Sequence, residues 1–310
     1  MKVFMTGATG VIGSAVAQAL VDRGDRVVVL SRAMRAGPDG MEFVGGRAPE
    51  PGPWTERIAG CDAAIHVAGE PIARWRWDAA HERRVVRSRI DGTRELVAAI
   101  AALPEAARPR TLLVASSVDV YPFDDDDTRH GEDTPAGDHL LAVLWRGVEA
   151  EAAVARAHGL RVVALRAGLV LTRGEHPYTQ LITPMKLVFR GPLGTGEHWL
   201  SWVHIDDVAA AYLAVLDGTE AGAVNLVAPG AIRQADFAHI VAAVLKRELW
   251  SPIAVAALRQ RLGPFADYLV RGRRAVPLAL ETRGFRFRRP DAAAALAASL
   301  AGQPGLAEAT

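Results

Sequence analysis

The chain is predicted to fold as an α/β protein, a doubly wound parallel sheet with a smaller, mostly helical C-terminal domain that would carry the substrate. Three observations predict this. Short β-branched runs alternate with Ala-rich helical stretches, the pattern of a parallel sheet covered on both faces. A glycine-rich turn, Thr6-Gly-Ala-Thr-Gly-Val-Ile-Gly13, joins the first apolar run to the first helical stretch. The alternation breaks after Leu171, and a mostly helical tail follows Ala228-Pro229-Gly230.

In chain order the predicted strands are Lys2–Thr6, Arg26–Ser31, Met41–Gly45, Ala63–Ala68, Thr111–Ser116, Arg161–Arg166 and Ala223–Val227. Predicted helices lie near Val11–Arg23, Asp78–Leu103, Leu140–His158 and Ile205–Leu216, with Gly24 placed as the C′ residue that ends the first. Residues 1–170, completed by 203–228, are expected to form a dinucleotide-binding domain. Residues 171–202 and 229–310 are expected to form a cap over the C-terminal edge of the sheet, where ligands of open α/β sheets bind. The Asp124–Asp127 run reads as a solvated loop, and metal binding there would need ligands from elsewhere.

Composition narrows the function classes. At 310 residues and 50% hydrophobic content the chain can bury a large core. A net charge of +1 argues against a nucleic-acid or anionic-membrane binder. No apolar run reaches about 18 residues, so no membrane span is expected, and chemistry beginning at residue 3 leaves no room for a targeting peptide. The single Cys61 permits no intramolecular disulfide and fits a reducing, cytoplasmic setting. The expected partner is a small-molecule substrate, with a homodimer left open.

The glycines of the first turn carry the chemistry. Gly7 would supply the unusual φ of a strand-to-helix turn, Gly10 would let a pyrophosphate reach the helix N-terminus, and Gly13 would let the helix close on the sheet. The unpaired N–H groups at that helix end, together with its dipole, favour a diphosphate. Thr6, Gly7, Thr9, Gly10, Val11, Ile12 and Gly13 are therefore candidate cofactor contacts.

With the element order in place, the chain resembles the extended short-chain dehydrogenase/reductases, and more narrowly their atypical, epimerase-like branch. The match is carried by Thr6–Gly13, Val67-Ala-Gly-Glu-Pro-Ile72 with Arg76-Trp77, Ser88-Arg-Ile-Asp-Gly-Thr93, Gly191-Pro-Leu-Gly-Thr-Gly196, Trp199-Leu-Ser-Trp-Val-His-Ile-Asp-Asp207 and Gly284-Phe-Arg-Phe-Arg288. The resemblance implies a Rossmann domain, a bound nicotinamide dinucleotide and a C-terminal substrate domain. Members of that branch are usually labelled nucleotide-sugar epimerases.

NADP(H) is expected ahead of NAD(H). The second strand ends Val29-Leu30-Ser31-Arg32, without the acid that would bind a ribose 2′-hydroxyl, and Arg35 follows. Guanidinium donors suit a 2′-phosphate. Val67, Ala68, Gly69 and Glu70 are expected along the cofactor, as are Ser116 and Arg166 at two strand ends.

The parent superfamily's chemistry rests on a Tyr, a Lys four residues later and a Ser. Four residues after Tyr121, Tyr178, Tyr212 and Tyr268 stand Asp125, Ile182, Leu216 and Gly272, so the pair is missing. By the resemblance, Leu141 occupies the Tyr position, Trp145 the Lys position, and Ser117 the catalytic Ser position. Ser117 reads equally well as a strand-end hydroxyl satisfied by backbone. Ser117 and Tyr121 are the catalytic candidates; Asp119, Glu70 and His204 are further proton-transfer candidates, His204 reading better as a helix cap. Arg83, Arg84, Arg87 and Arg89 share one helix, of which Arg89 stands in the family-like block and could face the site. Arg190, His198, Trp199 and Trp202 bracket the Gly191–Gly196 segment and are expected to meet the substrate, the tryptophans reading equally as core anchors. His81-Glu-Arg-Arg-Val85 lacks the second His of a zinc-protease helix, and no metal site is expected. Two functions remain, an NADP(H)-dependent oxidoreductase or epimerase-like enzyme and a dinucleotide-binding regulator or scaffold without turnover.

Overall fold

Seven parallel strands form the central sheet: β1 (Lys2–Thr6), β2 (Arg26–Ser31), β3 (Met41–Gly45), β4 (Ala63–His66), β5 (Thr111–Ser117), β6 (Arg161–Ala167) and β7 (Gly222–Leu226). Their order across the sheet is β7-β6-β5-β4-β1-β2-β3, every neighbouring pair parallel. The strand order reverses between β1 and β4, the switch point at which doubly wound sheets open a crevice. The computed structural model describes residues 1–300 apart from 34–36, 49, 73–77, 125, 173–190, 245, 247 and 250. Among the described residues no helix is long and apolar enough to cross a membrane.

Period-two alternation divides the strands between two cores. Val3 and Met5 of β1 pack beneath helices α1 (Val11–Asp22) and α5 (Ile205–Asp217), with Val16, Leu20, Val208 and Tyr212. Phe4 faces the other way, against Trp54, Leu96 and Ile100, beneath α3 (Gly92–Ala102) and α4 (Leu140–Ala153). Strand and helix bounds agree with the sequence reading to within about two residues at most ends. The long helix expected over Asp78–Leu103 is instead α2 (Ala79–Val86) and α3 joined by a π-helical turn at Arg87–Asp91. One extra residue per turn rotates Ser88 and Arg89 out of the α-helical phase.

A third core lies beyond the sheet. Leu171, Trp202, Ala228, Phe237, Val241, Ala292, Ala295 and Leu296 pack together, drawing on α6 (Gln234–Val244) and the helix Ala292–Leu300. Short pairings tie this part to the sheet: Leu169–Leu171 with Trp202–His204, Trp199–Leu200 with Ile232–Arg233, and Arg129–His130 with Arg274–Ala275. The Gly284–Arg288 motif is held by Asp207, whose carboxylate accepts from the backbone N–H groups of Arg288 (2.6 Å) and Arg289 (3.0 Å).

Asn225 on β7 is fully buried and joins several of these parts. Its Nδ2 donates to the carbonyls of His130 (3.1 Å) and Val276 (2.9 Å), and its Oδ1 accepts from the Tyr121 hydroxyl at 2.6 Å. Asn225→Ala should lower unfolding free energy by roughly 2–4 kcal/mol, since it strands buried carbonyls and a hydroxyl. Urea denaturation measures this, and an unchanged midpoint with unchanged slope would contradict the network.

His66, at the end of β4, is buried with its Nδ1 2.6 Å from the Thr6 hydroxyl. Burial, and secondarily the Arg89 charge, pull its pKa down to about 4. The unfolded chain therefore binds a proton below about pH 6.5 that the folded chain refuses until about 4. Stability present at pH 7 should fall by about 2 kcal/mol at pH 5 through this residue. Urea midpoints at the two pH values should differ less in His66→Gln; an equal fall in both proteins would exclude His66 as the source.

Candidate cofactor and substrate site

The turn after β1 is built on backbone contact. Gly7 adopts φ +76°, and a Cβ there would lie 2.5 Å from the Ala68 nitrogen. A Cβ on Gly13 would lie 2.1 Å from the Gly7 carbonyl oxygen. Both glycines are thus required for the turn to close on the β4 loop and for α1 to close on the turn. Gly10 differs: it is exposed, and the nearest atom to its added Cβ would be 3.4 Å away. It is the N-cap of α1, has no side-chain cap, and the first turn of α1 carries no acid. Thr9 is exposed and Val11 and Ile12 half-buried, so the N–H groups of the first turn open onto the switch point. A diphosphate fits a helix end that has no side-chain cap and no acid in its first turn. Thr6 departs from expectation. Its side chain is sealed beneath the turn on His66, and it reaches the site by backbone alone, its carbonyl accepting from Val67 N–H at 3.2 Å.

Beside the turn, Val67 and Ala68 are half-buried and Gly69 is exposed. The π-helical turn braces this loop. Ser88 Oγ accepts from the Glu70 N–H at 2.9 Å, and Arg89 Nη1 donates to the Glu70 carbonyl at 2.6 Å. The Arg89 guanidinium lies over Gly69, where a Cβ would come within 2.8 Å of its Cζ, and 5.2 Å from the Trp145 ring centre. Burial lowers the Arg89 pKa to about 10, so it remains charged at neutral pH. At the end of β2, Ser31 Oγ accepts from Ala33 N–H at 3.3 Å and Arg32 is exposed. Arg35 lies outside the described residues. Asp25 sits at the opposite end of β2, bound to the N-terminal ammonium at 2.6 Å and to Arg23.

Three expected site residues belong to a buried polar network instead. Tyr121 is fully buried; its hydroxyl donates to Asn225 and accepts from Arg166 Nη1 at 2.9 Å. Arg166 also binds the Glu132 carbonyl and forms a paired contact with Glu149, both at 2.8–2.9 Å. Ser116 Oγ donates to the same Glu149 carboxylate at 2.6 Å. Tyr121, expected as a catalytic candidate, is held as a packing residue, and the side chains of Ser116 and Arg166, expected along the cofactor, are engaged in this network. The physical reason is charge: Arg166, largely removed from water, needs its carboxylate.

Ser117 ends β5 half-exposed. It donates to Asp119 Oδ2 at 3.0 Å and accepts from Asp119 N–H at 3.1 Å, capping the turn Val118–Val120. Asp119 in turn is ion-paired with Arg273. Leu141 and Trp145, at the family's Tyr and Lys positions, are buried with Val118, Leu144 and Val148.

The structure buries two of the residues expected on the substrate side. Trp202 is buried in the third core, its indole N–H donating to the Gly230 carbonyl at 2.7 Å. His198 is buried as well, with its carbonyl accepting from Gln234 N–H at 2.9 Å. Trp199 is half-buried between the guanidinium groups of Arg233 and Arg274, 3.9 and 4.5 Å from its ring centre, and its indole N–H donates to Asp126 and Asp127. Gly196 serves packing, since a Cβ there would meet Ala235 and Pro192 at 2.9 Å. Arg190, like Arg76 and Trp77, lies outside the described residues. Of the run expected as a solvated loop, Asp124 pairs with His130 at 2.6 Å and Asp127 pairs with Arg233. Among the described residues no three His, Cys, Asp or Glu side chains gather as a metal site. His204 caps α5, its Nδ1 accepting from Asp206 N–H at 3.2 Å.

Comparison with known proteins agrees with this geometry. Residues 3–227 match the NAD dependent epimerase/dehydratase family, and residues 254–299 match a domain of unknown function, DUF1731. Epimerase family protein YfhF of Bacillus subtilis is 32% identical over 97% of this chain and 98% of its own length. A chloroplastic SDR39U1 homolog of Arabidopsis thaliana is 31% identical over 93% of this chain and 83% of its own length. The crystal structure of human epimerase family protein SDR39U1 (isoform 2) with NADPH superposes with a TM-score of 0.84 at 30% identity, covering 98% of this chain and 100% of that one. By its glycine turn, its sheet order and a match running through both halves, the chain belongs to the NAD dependent epimerase/dehydratase family.

Proposed function

We propose that the chain is an NADP(H)-binding oxidoreductase or epimerase-like enzyme, acting on a small polar carbonyl or sugar-nucleotide substrate without a Tyr-x-x-x-Lys pair. The observation that carries this reading is the closure of Gly7 on Ala68 and of Gly13 on Gly7, which leaves the α1 N-terminus open at the sheet's switch point. Thr9, Gly10, Val11, Ile12 and the Thr6–Gly7 backbone would hold the diphosphate. Ser31 and Arg32 would hold the 2′-phosphate, and Val67 to Glu70 would border the rest of the dinucleotide. The relative whose structure contains NADPH supports the phosphorylated cofactor. Bound there, the dinucleotide would supply hydride chemistry; the chain's part is to hold it, to exclude water and to place a proton.

Residues 1–170 with 203–228 would form the cofactor half, and 171–202 with 229–310 the half that covers it. Arg89 takes up the place vacated by the family's lysine, a fixed positive charge over Trp145 and beside Gly69. A second reading, a dinucleotide-binding regulator without turnover, is favoured by one observation only, the burial of Leu141 and Trp145 where the relay would stand.

NADPH should bind more tightly than NADH, and Arg32→Ala should remove roughly 1.5–3 kcal/mol of that preference by deleting a charge-assisted hydrogen bond. Calorimetric titration of both cofactors decides it; equal affinities in the unaltered protein would defeat the assignment.

Tyr121→Phe should leave NADPH affinity within about twofold while lowering stability by roughly 1 kcal/mol, because Asn225 and Arg166 each lose a buried partner. Loss of cofactor binding from a folded Tyr121→Phe protein would return Tyr121 to the site.

A further inference from the structure

Arginines in the interior of this chain are answered by other groups. Arg166 pairs with Glu149, and Arg273 with Asp119. Arg161 donates to the carbonyls of Val215, Leu216 and Glu220, and Arg108 to those of Ala101 and Leu103. Arg89 differs. It is half-buried and its Nη1 donates to the Glu70 carbonyl, but its Nε and Nη2 have no hydrogen bond and the group has no ion pair among the described residues. The nearby Glu70 carboxylate is turned to Arg84, 4.0 Å away.

The two unspent nitrogens share one edge of the guanidinium, and Gly69 leaves that edge clear. A Cβ on Gly69 would lie 2.8 Å from Arg89 Cζ, 3.0 Å from Nη2 and 3.1 Å from Nε. The Gly69 backbone does not itself call for glycine, since its φ lies outside the left-handed region. The missing side chain is therefore room over a fork of donors, at a residue that is exposed. Parallel N–H groups on one guanidinium edge grip two oxygens of a phosphoryl or carboxylate group.

Trp145 adds a second unanswered donor. Its ring centre lies 5.2 Å from Arg89 Cζ, the residue is buried, and its indole N–H has no acceptor among the described residues. Indole and guanidinium are both donors only, so neither can satisfy the other. A buried unpaired N–H and a partly desolvated cation each cost free energy that an incoming anionic oxygen offsets. The π-helical turn fixes the fork in place, with Ser88 held on the Glu70 N–H beside it. Gly69 follows Ala68, whose nitrogen lies against Gly7, so the fork borders the switch point from the β4 side.

We propose that the Nε–Nη2 edge of Arg89, cleared by Gly69 and backed by the Trp145 indole, is an anion subsite for one phosphoryl or carboxylate group of a ligand lying on the Val67–Glu70 loop. Two ligands carry such a group: the dinucleotide through its diphosphate, and a substrate through a phosphate or an acid. The inference rests on the NADP(H) reading for the first source and stands without it for the second. Arg89 is charged at neutral pH and attracts either one, while the neutral indole N–H adds direction and no charge.

The probes are NADPH and inorganic phosphate, with the full chain. NADPH is titrated by calorimetry into the unaltered protein, Arg89→Met, Gly69→Ala and Ser88→Ala. Ser88→Ala removes the other bond on the Glu70 loop and keeps the guanidinium, so it reports what lost bracing alone costs. If the anion is the cofactor's diphosphate, Arg89→Met and Gly69→Ala should each weaken NADPH about tenfold more than Ser88→Ala does. Adenosine 2′-monophosphate, which has no diphosphate, should bind all of these proteins alike. If the anion belongs to the substrate, the variants should not separate in NADPH affinity. Phosphate should then move the 1H–15N signal of the Trp145 indole in the unaltered protein and leave it in place in Arg89→Met. That signal is assigned by its loss in Trp145→Phe or, if that variant does not fold, by its displacement in Arg89→Met. Should Arg89→Met not fold, Gly69→Ala carries the same comparisons, because it covers the fork and keeps the charge. An NADPH loss specific to the fork, or a fork-dependent response to phosphate, supports the subsite and identifies its source; the absence of both overturns it. NADPH that fails to bind the unaltered protein, with the phosphate response intact, would remove the cofactor reading and leave the subsite.

Discussion

The structure depends on one steric constraint, the approach of backbone to backbone at the switch point of the sheet. Gly7 lies against Ala68 and Gly13 lies against the Gly7 carbonyl, at separations no side chain could share. That contact fixes α1 against β1 and brings the end of β1 to the end of β4. The Gly10 end of α1 is left exposed and without a side-chain cap. The remaining edge is arranged around it. Val67 N–H still bonds to the Thr6 carbonyl of β1, and the backbone from Val67 to Ala68 then passes against Gly7, beyond the last strand residue His66. The π-helical turn then supplies Ser88 and Arg89 to hold the loop that Val67 begins.

A second, polar constraint explains why several residues that look functional are structural. Arg166 is a charge on a central strand, largely removed from water, and Glu149 balances it. Once that pair exists, every neighbouring polar atom must be matched to it or pay a desolvation cost. Ser116, Tyr121, Glu132 and Asn225 provide the matching, and the network extends through Asn225 to His130 and Val276 on the paired segments beyond the sheet. The same side chains that mark the strand ends as family-like thus bind the two parts of the chain to each other.

What could be read in the sequence divides along the same physical line. The seven strands and the glycine turn were legible because their causes are local: alternation of apolar residues within a strand, and φ or close approach at single glycines. Tyr121 illustrates what was not. Its place after β5 is readable, but its direction is set by Asn225 and Arg166, 104 and 45 residues away in the chain. Trp202 beside a glycine-rich segment has the same local signature whether it faces a ligand or a core, and the core residues that decide it, Phe237 and Leu296, belong to later helices. The π-helical turn escaped because one inserted residue hardly disturbs the apolar period of a long helix.

By the resemblance, Trp145 stands where the parent superfamily carries its lysine, and the Arg89 guanidinium lies 5.2 Å from its ring centre. In a Tyr-x-x-x-Lys helix one ammonium serves both the cofactor and the phenol, and the two are bound to a single spacing of four residues. Here Arg89 is stacked over that indole and hydrogen-bonded to the Glu70 carbonyl. Even with its pKa lowered to about 10 by burial, Arg89 is charged at neutral pH and is a poor proton carrier, so it can orient and attract but not relay. Leu141 and Trp145 are left to pack as apolar core with Val118, Leu144 and Val148.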